Sequence, residues 1–281
     1  MATQTIGMIF PTPEHQNYTR MAAQLQKTAR AEGYNLLLGC TQYDSEATMR
    51  HARDMIALGV KGLVAIGAEQ PDGFFELIDS HKLPLCLLYV NPGGAPGRDA
   101  LRFDNAATFG AIADYLMDLG HTAIGYIGPG AFNPRAQARQ VGIRAALAKR
   151  GLLFPDHHVI ATQWDTQSGK DAFRRIMTTP EPPTAIICGN DYHAFGCVIA
   201  AQEMGISIPG SVSITGFGDI DLCDFIHPRL TSMGVADRKV ADAIGRHLIG
   251  LIAGKTGPLD VSADPKLVVR GSTAPPRTGR G

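Results

Sequence analysis

Short apolar runs alternate with amphipathic stretches along the whole chain. Thr5–Phe10 (TIGMIF) reads as a buried strand, and Tyr18, Met21, Ala22, Leu25 and Ala29 then recur at helical spacing on one face of a helix from about Tyr18 to Glu32. Gly33 stops that helix and Asn35–Cys40 is the next strand. Ser45 is a fitting N-cap for a helix through Leu58, and strand Gly62–Gly67, helix Phe74–Ser80 and strand Pro84–Val90 follow. Asn91–Gly97 (NPGGAPG) is loop chemistry, before a short strand Ala100–Phe103 and a helix Ala106–Leu119.

The pattern then restarts. Strand Thr122–Ile127, a helix to Arg150, strand Val159–Thr162, a helix around Gly169–Met177 and strand Thr184–Cys188 come in order. Helix Ala194–Met204 and strands Ser211–Thr215 and Leu230–Val235 follow. Helix Asp237–Ala253 carries Val240, Ala241, Ile244, Leu248 and Leu251 on one face, and strand Lys266–Arg270 closes the chain. Strands of this length alternating with helices predict βαβ units, and two such sets predict an α/β protein with two doubly wound parallel-sheet subdomains. Ligands on such sheets sit beyond the carboxyl ends of the strands, so two facing subdomains suggest one cleft.

Length agrees, since 281 residues at about 150 per domain give two. Lys+Arg and Asp+Glu both total 26, and a zero net charge argues against a chain that grips nucleic-acid backbone by itself. Five cysteines, with no CxxC pair, fit thiols kept reduced as small apolar side chains. No Cys/His spacing suits zinc, and the adjacent His157 and His158 read as loop residues, so no metal is expected. No apolar run is long enough for a membrane span, and the first residues lack a signal peptide's basic and apolar regions.

Enzyme motifs fail one by one. Gly128-Pro129-Gly130 resembles a dinucleotide turn, but Asn133 stands at the third glycine position. Gly169-Lys170 lacks the P-loop's earlier glycine, with Trp164 in its place, and no GxSxG or HExxH occurs. No catalytic residues, cofactors or enzymatic activity are expected.

The segments FDNAATFGAIADYLMDLGHTAIGYIG (103–128), RQVGIRAAL (139–147), PTAIICGNDYHAFG (183–196), GISIPGSVSITGFGD (205–219) and LVVRGSTAPP (267–276) resemble the effector-binding core of the LacI/GalR family of bacterial transcription regulators. They recur in that family's order from Thr5 to about Pro276. The resemblance implies a type I periplasmic-binding-protein-like fold with three crossovers, near Leu119, Met233 and Gly257. One subdomain would hold 5–119 plus 235–254 and the other 120–232 plus 258–275, with 276–281 a flexible tail. It also implies a cytoplasmic homodimer binding a small sugar-like effector in the inter-subdomain cleft, and reaching operator DNA only through a helix-turn-helix headpiece that precedes such cores in the family. The alternative is a periplasmic sugar-binding protein of an ABC transporter whose signal peptide has been removed; LVVRGSTAPP and the five thiols argue against it.

By resemblance, Arg139 of R-x-x-G contacts effector; otherwise it is a surface arginine in a salt bridge. Asn190-Asp191 matches the family's N-D, one residue for ligand and one, Asp191, for capping. Trp164, the single tryptophan, stands where the family often stacks an aromatic on effector, core packing being the competing role. Asn17 and Tyr18 end the first strand-to-helix loop, another contact region, although Tyr18 also begins an apolar stripe. Asp104 touches ligand or caps a helix. His121 reads as structural, fixing a crossover.

One departure stands out. Many family members read G-[YF]-D-[DN] where this chain has Gly216-Phe217-Gly218-Asp219, so the first, sugar-binding aspartate is gone. A carboxylate there would repel an anion, whereas Arg135 and Arg139 lie four apart on one helix face. Members with GFGD resemble regulators of gluconate-type sugar-acid use, which favours an acidic effector. The competing reading has Asp219 take over the missing role.

Overall fold

The computed structural model describes residues 4–67, 71–90, 95–130, 133–255, 257, 259 and 261–277. The 278–281 part of the expected tail and residues 91–94 of the NPGGAPG loop lie outside these. The chain divides into two compact units, Met1–Phe103 with Ala236–Asp264, and Asp104–Val235 with Pro265–Gly281.

The first unit runs β1 (Gln4–Phe10), α1 (Gln16–Ala31), β2 (Tyr34–Cys40), α2 (Ser45–Ala57), β3 (Leu63–Ile66), α3 (Phe74–Ser80), β4 (Leu85–Val90) and β5 (Ala100–Arg102). The second runs α4 (Asn105–Asp118), β6 (Ile124–Pro129), α5 (Pro134–Lys149), β7 (Val159–Thr162), α6 (Thr166–Met177), β8 (Ala185–Cys188), α7 (Asp191–Glu203), β9 (Ser213–Gly218) and β10 (Thr231–Gly234). The chain then returns to the first unit for α8 (Asp237–Ile252) and ends in the second with β11 (Lys266–Val268).

The first sheet is ordered β2-β1-β3-β4-β5 and every pair in it is parallel. The second is ordered β11-β10-β9-β8-β6-β7, parallel except at its edge, where β11 pairs antiparallel with β10. Both follow the doubly wound order in which the first strand lies between the second and the third. The loops leaving that central pair, β1/β3 and β6/β8, diverge to opposite faces and open a crevice at the carboxyl ends. Helices cover both faces, so β3 (LVAI) and β8 (AIIC) are buried throughout and read as unbroken apolar runs.

Helices on the same face cross at glycines. A Cβ on Gly142 of α5 would overlap the Ala106 carbonyl oxygen of α4, and one on Gly196 of α7 would overlap the Thr166 carbonyl oxygen of α6. Gly169 of α6 would meet the His193 carbonyl at 2.6 Å, and Gly245 of α8 would meet Leu25 of α1 at 2.8 Å.

Several expectations are corrected. Helix α4, assigned from sequence to the first unit, belongs to the second, because Gly142 lets α5 seat against it; the unit boundary is at Phe103/Asp104, not near Leu119. His121 therefore lies well inside the second unit. It hydrogen-bonds Thr184 Oγ1 (2.9 Å) and the Ala274 carbonyl (2.9 Å), pinning the tail rather than a crossover. Asp44, not Ser45, caps α2, accepting from the Glu46 N–H at 2.9 Å. α6 begins at Thr166 because Asp165 caps it, and α7 begins at Asp191 because Asn190 does. β9 extends to Gly218, because Thr215–Gly218 pair in parallel with Thr231–Gly234.

Candidate functional site

The R-x-x-G match is two devices in one. Gly142 brings α5 onto Ala106, and this approach carries Arg139, one turn earlier, to Asn105 at the start of α4. Arg139 Nε donates to Asn105 Oδ1 at 3.0 Å, and Nη1 donates to the Gly189 carbonyl at 2.6 Å. Gly189 follows β8 and α5 follows β6, so the guanidinium lies at the switch point of the second sheet. It is 6% exposed. Its carbon lies 4.8 Å from the ring centres of both Phe109 and Phe217 and 5.5 Å from that of Trp164. A guanidinium keeps its charge in such a setting, and aromatic faces supply partial negative charge.

Arg135, half-buried, stands 6.0 Å over the same Trp164 ring. Trp164 lies in the β7–α6 loop, fixed from below by α7. Asn190 Nδ2 donates to its carbonyl (3.3 Å), and the His193 ring lies 6.4 Å away while His193 Nε2 bonds the Gln163 carbonyl (2.5 Å). Trp164 is half-buried, so part of its surface meets solvent. Burial pushes the nearby Tyr126 phenol up to about 12, against the pull of the Arg139 charge, so it stays protonated.

Asn190 Oδ1 accepts the His193 N–H at 2.8 Å, so both ends of its amide serve the fold. The capping role expected of Asp191 belongs to Asn190. Replacing Asn190 with alanine removes the cap and the Trp164 tether together. We expect about 1–2 kcal/mol less stability in urea unfolding, with a shifted Trp164 emission. An unshifted emission would show that the tether does not hold the indole.

Asp191 is 1% exposed and faces β9 and β10, not the Arg139 cluster: Ser232 Oγ donates to Oδ1 at 2.6 Å and the Ile220 N–H to Oδ2 at 3.0 Å. Asp219 is backbone-strained (φ 48°), and its Oδ1 forms an ion pair with Arg270 Nη1 at 2.7 Å, while Arg270 Nε also binds Asp224 at 2.8 Å. Asp104 is the exposed cap of α4, accepting the Ala107 N–H at 2.8 Å.

Asn17 and Tyr18 are in the first unit. Asn17 is half-buried on the first turn of α1. Tyr18 is buried, stacked on His15 (6.1 Å, 13°) and tilted against Phe10 (6.4 Å), as its place in the apolar stripe implies.

Asn105, Phe109 and Phe217 escaped the sequence reading. Asn105 and Phe109 have a signal, being four apart on the α4 face that includes Ala106 and Gly110. Phe217 has none beyond its flanking glycines.

No group of three or more metal-ligating side chains occurs among the described residues, nor any helix long and apolar enough to cross a membrane.

The periplasmic binding protein-like domain family matches residues 113–273, more than half of the chain. The HTH-type transcriptional repressor PurR of Klebsiella pneumoniae strain 342 is 28% identical over 276 residues, covering 97% of this chain and 80% of that protein. PurR of Escherichia coli O139:H28 is 27% identical over the same shares. Among solved structures, the transcription regulator GntR of Chromobacterium violaceum superposes with a TM-score of 0.89 at 23% identity, covering 96% of this chain and 99% of that one. A LacI family regulator of Enterococcus faecium with bound ribose gives 0.81 at 24%, covering 98% and 100%. These regulators share the doubly wound fold or most of their length with this chain, and the family match spans α4 to the closing tail: the chain belongs to the periplasmic binding protein-like family, as a LacI/GalR-type effector-binding core of a transcription regulator.

Proposed function

We propose that this core senses a small anionic sugar derivative, a sugar acid, and that Arg139 receives its carboxylate. One observation carries the reading: a buried guanidinium held rigid at a sheet switch point by two neutral oxygens, an amide and a peptide carbonyl, within three aromatic faces. A preformed fork suits a carboxylate, and the face of Trp164 suits the C–H face of a sugar. Arg135 adds a second positive charge above that ring. The one acidic side chain of the GFGD segment, Asp219, is ion-paired with Arg270, which blunts its repulsion of an anion. Solved relatives are consistent with both halves of such a ligand, one holding ribose and another, a sugar-binding regulator of Escherichia coli, complexed with phosphate.

In this reading Arg139, Arg135 and Trp164 contact the effector. Asn190, Asp104 and Asn105 hold the elements that present them. Effector binding biases operator binding by a homodimeric, cytoplasmic regulator.

Calorimetry with D-gluconate, D-glucose and D-ribose tests it. We expect gluconate to bind at micromolar affinity and the neutral sugars at least about tenfold more weakly, the contribution of one charge-assisted pair. Micromolar binding of a neutral sugar without gluconate binding would reject the acidic effector.

A further inference from the structure

The carboxylate of Asp191 has a segment of chain wrapped around it. Besides Ser232 Oγ and the Ile220 N–H, the Cys223 thiol donates to it. Gly216 and Gly218 both press their backbone against it: a Cβ on Gly216 would overlap Oδ1, and one on Gly218 would lie 3.0 Å from Oδ2. Ser232 Oγ in turn accepts the Asp219 N–H at 3.1 Å. Between the two glycines stands Phe217, 4.8 Å from the Arg139 guanidinium carbon and 5.3 Å from the Phe109 ring centre.

We propose that Asp191 is a positioning residue of the effector site, its carboxylate moulding Gly216–Ile220 so that Phe217 is held against Arg139, without itself touching effector. This rests on the reading of Arg139 as the effector anchor. It also gives GFGD a reason of shape. An aspartate at 218 would have to adopt φ 127° and stand against Asp191, so its return would set a second carboxylate against the buried one rather than make a sugar contact.

The latch carries a pH signature. The groups facing Asp191 are Cys223 from the one-turn segment Asp221–Asp224, Cys188 at the end of β8, and Asp219 backed by Arg270. Burial pushes both thiols well up, so they stay neutral, and Arg270 stays charged. Burial also raises Asp191 from 3.8 to about 6, against the donors that lower it. Opening the segment would return the carboxyl to water and to its ordinary value. The closed form therefore binds a proton in this range: it is favoured below the ordinary value and loses that advantage as pH rises through about 6.

Hydrogen exchange of the peptide over 214–222, corrected for intrinsic rates, tests this at pH 5 and pH 7.5. In the parent chain protection falls about tenfold between the two, the factor that linkage gives for a carboxyl moving from 3.8 to about 6. Asp191→Asn, which keeps an acceptor but cannot titrate, makes protection independent of pH. Asp191→Ala loses protection at both pH values while β6 and β8 keep theirs, and weakens D-gluconate binding by about tenfold or more, with Asp191→Asn intermediate. A parent-like pH dependence in Asp191→Asn, or parent affinity in Asp191→Ala, overturns the proposal. Where the parent takes up no gluconate, the sugar-acid reading falls and exchange alone decides the latch. Should Asp191→Ala not fold, Ser232→Ala takes its place: loosened exchange confined to 214–222 supports the latch and unchanged exchange overturns it.

Discussion

Gly142→Val is expected to destabilise the second unit by about 3 kcal/mol or more, read as a lowered urea midpoint. The Cβ alone would overlap a backbone atom, the Ala106 carbonyl oxygen. That oxygen belongs to the first turn of α4 and cannot swing aside as a flexible side chain could. Valine adds two methyl groups to the same contact, so α5 must lift off α4. The lift also separates Arg139 from Asn105, now 3.0 Å apart, so effector affinity falls with stability. Gly250→Ala, on α8, is the matched control: its nearest neighbour to an added Cβ is Lys255 at 3.7 Å, and helix propensity alone makes it neutral or stabilising by up to about 1 kcal/mol. Equal effects at the two glycines would show that the crossing is not tight in solution.

Arg139→Ala is expected to weaken gluconate binding by at least about a hundredfold in calorimetry, the upper range for a buried charge-assisted pair. Arg139→Lys should recover little of it. A single ammonium cannot reach Asn105 Oδ1 and the Gly189 carbonyl together while offering a planar fork, and it is more strongly hydrated among three aromatic rings. Arg139→Ala also removes the donor that Asn105 Oδ1 and the Gly189 carbonyl share, a cost of about 1–3 kcal/mol in stability, so circular dichroism must show a folded chain before affinities are compared. Unaltered gluconate affinity in a folded Arg139→Ala chain would remove Arg139 from the site.

Periodicity makes the elements legible because inner strands such as β3 and β8 are buried on both faces, and their apolar runs LVAI and AIIC stand out between the helices. Element starts were less legible. Asp44, Asp165 and Asn190 each cap a helix one turn or one residue away from the first apolar signal, and a cap is recognised by its hydrogen bond. The antiparallel pairing of β11 left no trace, since three residues carry no sign of direction. Arg139 and Trp164 were found through resemblance. Asn105, Phe109 and Phe217 were not, because what makes them partners of Arg139 is the distance between helices, and that is set by glycines whose role only appears in three dimensions. Glycine at 218 changes the charge of the segment in sequence, and in the fold the backbone there is shaped to a different carboxylate, that of Asp191.

The return of the chain to each unit late in the sequence sets an order of events during synthesis. The first unit lacks its last helix until Asp237–Ile252 has been made, leaving Leu25 of α1 without its neighbour Gly245. The second unit waits longer: Ser272, near the end, accepts the Thr231 N–H on Oγ and donates to the Ile214 carbonyl, and its own carbonyl accepts the Ile214 N–H. Neither unit can therefore close until its own returning segment has left the ribosome, unlike a chain of two contiguous domains, in which the first folds while the second is being translated. A nascent chain stalled before Lys266 would leave the β10 edge of the second sheet unpaired, a surface that chaperones, or the edge of another nascent chain, would meet first.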